Sequence, residues 1–125
     1  MDSLTLIIVI VSVVALFIGL KKFRMRGIPQ YSPEEARQRI REGAVLLDVR
    51  TPAERKQTSI AGSLHIPLNE LSAKMKTLER NKSREIIVYC ASGNRSGVAS
   101  VQLKKAGFNV ANLQGGIGAW NFSNL

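Results

Sequence analysis

The sequence is poor in the residues on which much protein chemistry depends. Its 125 residues hold one cysteine and one histidine. A single cysteine forms no disulfide within the chain, and with one histidine it cannot furnish the four ligands of a tetrahedral zinc site. No metal and no cofactor is therefore expected. Aromatic residues make up only 6%. No basic helix with interleaved aromatics and no nucleic-acid motif is present, so nucleic acid is not an expected partner. Acids are scarce: 9 Asp and Glu stand against 18 Lys and Arg, for a formal net charge of +9. There is no Gly-x-x-x-x-Gly-Lys phosphate loop and no carboxylate pair in a glycosidase-like motif. Charge is missing altogether from residues 4–20. What abounds is aliphatic. At 45% hydrophobic residues the chain is not disordered, and its length suits one compact domain.

As a helix, the uncharged run spans roughly 26 Å, a little less than a hydrocarbon core of ~30 Å. Ser3 and the stems of Lys21 and Lys22 make up the difference. The run has no polar face, which argues against a buried core helix. A cleaved signal peptide is the competing reading. Against it, the only early charge is the acidic Asp2, and the run passes directly into Lys21, Lys22, Arg24 and Arg26 without a small-residue cleavage site. The reading is thus an anchor with a basic flank over residues 1–24, followed by a domain over residues 25–125. The basic cluster keeps its side of the bilayer in the cytoplasm. The expectation is a single-pass protein of a bacterial inner membrane, partnered by the bilayer through residues 4–20, with its domain facing the cytoplasm.

Downstream, helix and strand signals alternate. Ser32-Pro33-Glu34-Glu35 combines an N-cap serine, a proline at the first helical position and acids at the positive dipole end, so a helix is predicted to about Glu42. Apolar runs predict strands over 44–49, 84–89 and 109–113, with a short one over 64–66 closed by Pro67. Thr51-Pro52-Ala53-Glu54 starts a brief helix, further helices follow over 69–78 and 96–106, and a turn or helix opens at Gly115. Alternating strands and helices predict an α/β fold, a parallel sheet with helices on both faces, preceded by the N-terminal transmembrane helix.

Chemistry in such sheets is expected just past the carboxyl ends of the strands. The lone cysteine stands there, in Cys90-Ala91-Ser92-Gly93-Asn94-Arg95-Ser96. Small residues and Gly93 let this loop curl its N–H groups inward. A helix starting near Ser96 adds its positive end, and Arg95 adds a cation. Each favours a thiolate, which makes Cys90 a candidate nucleophile rather than a buried structural cysteine.

Four motifs, in order, resemble those of a single-domain rhodanese, a sulfurtransferase module. The active-loop pattern Cys-x-x-Gly-x-Arg-Ser is matched by Cys90, Gly93, Arg95 and Ser96. Leu47-Asp48-Val49-Arg50-Thr51-Pro52-Ala53-Glu54 matches a second motif. Ile60, Gly62, Ile66, Pro67 and Leu68 match a third, and Leu113, Gly115, Gly116, Ala119 and Trp120 a fourth. Together they cover about residues 31–120. Two departures fall in the connection before the third strand: Thr58-Ser59 replaces the usual Gly-His, and Arg55 replaces an aromatic.

The resemblance implies a Cys90 persulfide, loaded from a sulfane donor such as thiosulfate and discharged to an external thiol or cyanide. It implies substrate binding by Ala91, Ser92, Gly93, Asn94, Arg95 and Ser96, with Asp48 and Arg50 in support. It also implies structural roles for His65, Trp120 and the Gly115-Gly116 pair. Two alternatives stand beside it. One is a membrane-tethered, non-catalytic rhodanese-like binding module. The other is a cysteine phosphatase or arsenate reductase, disfavoured because only four residues separate Cys90 from Arg95 where a phosphatase has five.

Overall fold

A computed structural model describes residues 2–24 and 27–124. Met25 and Arg26, the start of the predicted domain and, for Arg26, the last of the basic cluster, lie outside the described residues. The chain opens with α1 (Ser3–Arg24), long and apolar enough to cross a membrane. Then come β1 (Gln30–Tyr31), α2 (Pro33–Arg41), β2 (Val45–Asp48), α3 (Pro52–Gln57) and β3 (Leu64–His65). A stretch of three short helical pieces follows, 3-10 at Leu68–Glu70, α4 at Leu71–Lys74 and 3-10 again at Met75–Asn81. β4 (Ile86–Tyr89), α5 (Asn94–Lys105), β5 (Val110–Leu113) and α6 (Gly116–Phe122) complete the chain.

The five strands form one parallel sheet in the order β1-β5-β4-β2-β3. Alternating side chains divide it into two apolar layers, as the strand period requires. Leu47, Val49, Ile86, Val88 and Cys90 join Leu71, Leu78, Ala99 and Leu103 on one face. Leu46, Ile87, Tyr89, Ala111 and Leu113 join Ala36, Ile60 and Ile117 on the other. The α/β architecture read from the alternating pattern is the one observed.

Local chemistry accounts for the helix starts. Ser32 Oγ accepts from the Glu35 N–H at the head of α2. Thr51 and Glu54 form a reciprocal capping box at the head of α3. Three predictions need correction. The two-residue β1 was not foreseen, because so short a strand carries no periodicity. The helix predicted over 69–78 is the run of short helical pieces, since apolar spacing does not distinguish i→i+3 from i→i+4 bonding. α5 begins at Asn94, two residues before the predicted start.

Candidate active site

β4 delivers Tyr89 to the carboxyl edge of the sheet, and Cys90 is the next residue. The chain turns through Ala91, Ser92 and Gly93, with Gly93 at a φ of 107°, a conformation that side chains disfavour. This turn aims the Gly93 N–H at Cys90 Sγ, 3.0 Å away. Because α5 starts early, Ser96 lies in its first turn, buried, with Oγ 3.4 Å from Sγ. Cys90 itself is 1% exposed. Burial is the largest single influence on the thiol and pushes its pKa up. The Ser96 hydroxyl and the N–H groups of Ser96, Gly93 and Ser92 outweigh it, and hold the thiol below its ordinary value. Ala91, Ser92 and Asn94 are exposed around the mouth of this loop.

Arg95, expected to add a cation beside the thiol, is paired with a carboxylate. Its Nη1 and Nη2 donate to the two carboxylate oxygens of Glu54 at 2.6 and 2.8 Å. The Arg95 guanidinium in turn holds the Glu54 carboxyl down at about 2. The Cys90 loop is thereby tied to α3, whose capping box uses the same Glu54 side chain. Glu54 was legible in the sequence only as a helix-start residue, and no local signal announces a partner so far along the chain.

Asp48 and Arg50 lie at the end of β2, beside β4, both buried. Arg50 Nε and Nη2 donate to the two oxygens of Asp48 at 3.0 and 2.9 Å, and Nη2 also donates to the Thr58 carbonyl at 2.6 Å. Burial would raise the Asp48 carboxyl, but hydrogen bonds and charge from Arg50, with help from Arg55, bring it below its ordinary value. Arg55, at the family's aromatic position, donates to Asp48 Oδ2, Ser63 Oγ and the Ser63 carbonyl. The Tyr89 hydroxyl completes the network, accepting from the Ile60 N–H at 3.1 Å and lying 2.8 Å from Ser63 Oγ. His65 Nε2 donates to the Arg50 carbonyl at 2.7 Å. The connection carrying Thr58 and Arg55 is thus packed by polar contacts converging on Asp48.

The fourth motif backs the loop from beneath. The Cys90 carbonyl accepts from the Ile117 N–H at 2.9 Å and the Ala91 carbonyl from the Gly118 N–H at 3.3 Å. A Cβ at Gly116 would collide with the backbone of Cys90 and Ala91. Trp120 lies on the α2 side, where the Arg37 guanidinium stacks 4.1 Å from its ring centroid.

A buried thiol met by N–H groups just past a parallel strand, next to a strand end that carries a buried carboxylate–guanidinium pair, defines a cysteine-loop α/β domain. The chain belongs to the rhodanese-like domain family, whose model matches residues 32–123. A sulfurtransferase from Allochromatium vinosum is 40% identical over 80 residues, covering 63% of this chain and 73% of that protein. The thiosulfate sulfurtransferase PspE of Escherichia coli is 32% identical over 71 residues, covering 57% and 68%. The crystal structure of a rhodanese-related protein from Thermoplasma volcanium superposes with a TM-score of 0.70 at 36% identity, covering 76% of this chain and 92% of that one. Of some longer curated relatives the chain spans only about half.

Proposed function

We propose that the protein is a membrane-anchored sulfurtransferase that carries sulfane sulfur as a persulfide on Cys90. The observation that carries this reading is the Cys90 thiol itself, buried at the strand end, accepting the Gly93 N–H, and held below its ordinary pKa. A thiolate needs no general base. It attacks the outer sulfur of a donor such as thiosulfate, the bond between the two donor sulfurs breaks, and sulfite leaves with the electron pair. The N–H groups of the 91–96 loop then face the anionic terminal sulfur, the arrangement that stabilises developing charge. A thiol or cyanide removes the sulfur and returns the thiolate. Arg95 keeps the loop in shape through Glu54, and Asp48 with Arg50 fixes the neighbouring strand end. The spacing of Cys90 and Arg95, one residue shorter than in cysteine phosphatases, favours a single sulfur atom over a phosphoryl group. In this proposal residues 1–24 anchor the chain in a bacterial inner membrane and residues 25–125 form the domain on the cytoplasmic side.

The experiment is intact-mass analysis after incubation with thiosulfate, joined to a thiosulfate-to-cyanide assay. The parent gains the mass of one sulfur atom and turns over; Cys90→Ser, nearly isosteric but hardly ionised near neutral pH, does neither while keeping its fold. Parent-like transfer by Cys90→Ser overturns the assignment. A folded parent that takes up no sulfur favours the non-catalytic module.

A further inference from the structure

We propose that the crevice between α1 and the Cys90 loop is the subsite of the sulfur acceptor, a small carboxylate-bearing thiol whose carboxylate Lys22 holds. The proposal rests on the sulfurtransferase reading and names the acceptor class. The crevice encloses about 520 Å³. Ile18 and Lys22 form one wall, Ser92 and Gly93 of the loop another, and Asn112 and Gln114 the base at the end of β5. A thiosulfate-sized anion would fill only a small part of it. The volume lies within the roughly 300–1,000 Å³ of clefts that hold larger organic ligands.

Charge and hydrogen bonding select the ligand. The guanidinium groups near the thiol are spent: Arg95 on Glu54, Arg50 on Asp48 and Thr58, Arg55 on Asp48 and Ser63. Lys22 is exposed on the crevice wall and forms no ion pair among those of the described residues. Asn112 is 3% exposed, and its Nδ2 donates to Gln30 Oε1 at 2.8 Å, while its Oδ1 has no hydrogen-bond partner. A buried acceptor left unfilled beside a cavity points to a ligand that brings a donor. Thiosulfate brings none. A thiol derived from an amino acid brings a carboxylate for Lys22 and an N–H for the Asn112 wall. Gly93, whose N–H holds Cys90 Sγ, belongs to the same wall, so a thiol seated there lies against the sulfur-bearing loop.

In the transfer step the acceptor thiolate attacks the outer sulfur of the Cys90 persulfide. A bond forms between acceptor sulfur and outer sulfur, the bond from Sγ to the outer sulfur breaks, and its electron pair returns to Cys90 as thiolate. The outer sulfur, left anionic by the loading step, takes up the proton that the acceptor thiol gives up on forming its thiolate. The acceptor therefore leaves as a persulfide, Cys90 returns as thiolate, and no external oxidant or reductant is consumed.

The test uses the full chain in detergent micelles, loaded with thiosulfate and discharged to N-acetylcysteine or to uncharged 2-mercaptoethanol. Lys22→Gln raises the ratio of the KM for N-acetylcysteine to that for 2-mercaptoethanol about fivefold, the scale of one partly exposed ion pair. Lys22→Arg keeps the parent ratio. A parent-like ratio in Lys22→Gln, with Cys90-dependent transfer intact, overturns the subsite and leaves the transferase reading standing. Absence of Cys90-dependent transfer in the parent overturns both.

Discussion

Two ionisable side chains, Cys90 and Asp48, are withdrawn from water at the carboxyl ends of the adjacent strands β4 and β2, and each stays chargeable because of named neighbours. For Cys90 the decisive group is Ser96, the first of the influences that oppose burial. Persulfide formation should rise as pH rises through the lowered thiol pKa and level off above it. Ser96→Ala should move that profile to higher pH by about one unit, the worth of one hydrogen bond to a charged group; an unmoved profile would remove Ser96 from the account. For Asp48 the partners are guanidinium groups. Asp48→Asn leaves Arg50 charged and buried, without its counter-charge and with one of its three side-chain acceptors replaced by an amide NH2, at a cost of about 3 kcal/mol in denaturant unfolding. The lowered folded-state pKa also sets the acid behaviour. Asp48 stabilises the fold fully above the unfolded carboxyl value of about 4, and that contribution is lost as pH falls through the lower folded value. Denaturant midpoints of parent and Asp48→Asn should therefore converge as the solution is acidified.

Elements matter here chiefly by where they stop. α6 begins where its first N–H groups can reach the carbonyls of Cys90 and Ala91, and Gly116 makes the approach possible. Gly116→Ala adds a Cβ against that backbone, at a φ of 60° that alanine disfavours. The expected loss is about 3 kcal/mol with a loosened Cys90 loop, read as a lower Tm and a Cys90 that reacts faster with thiol reagents. Retained Tm and unchanged thiol reactivity would show that α6 does not shape the loop. Much of this element structure was legible: Ser32-Pro33, Thr51-Pro52 and the apolar runs over 44–49 and 84–89 are local signals, and the helices and strands form at or within them. The pairing of β1 with β5 and of Arg95 with Glu54 was not legible. Each joins residues far apart in the chain, and local propensity carries no information on such partners. Arg55 shows the same limit. Read as a departure from a pattern, it proves to be a linchpin around Asp48, because a long cation reaches where an aromatic would have packed.

At the scale of the whole molecule the apolar helix and the sheet are separate pieces of physics. The described side chains of α1 are exposed, so the domain does not cover its apolar surface; under the proposed anchoring a bilayer would. A chain beginning at Gly27 should be soluble, keep a cooperative thermal transition and still load sulfur on Cys90; a shortened chain that stays unfolded would mean the domain needs α1. The parallel pairing of β1 with β5 has a consequence for biogenesis. Gln30 lies opposite Asn112, and the Asn112 N–H bonds the Pro29 carbonyl, so the first strand made must wait for the last. Domains form as their chains emerge, and here the stretch next to the apolar helix is among the last to gain its partner. A ribosome engaged at the membrane would hold β2, β4 and their helices as an assembly still open at one edge. Sheet closure then waits until β5 has emerged to meet β1.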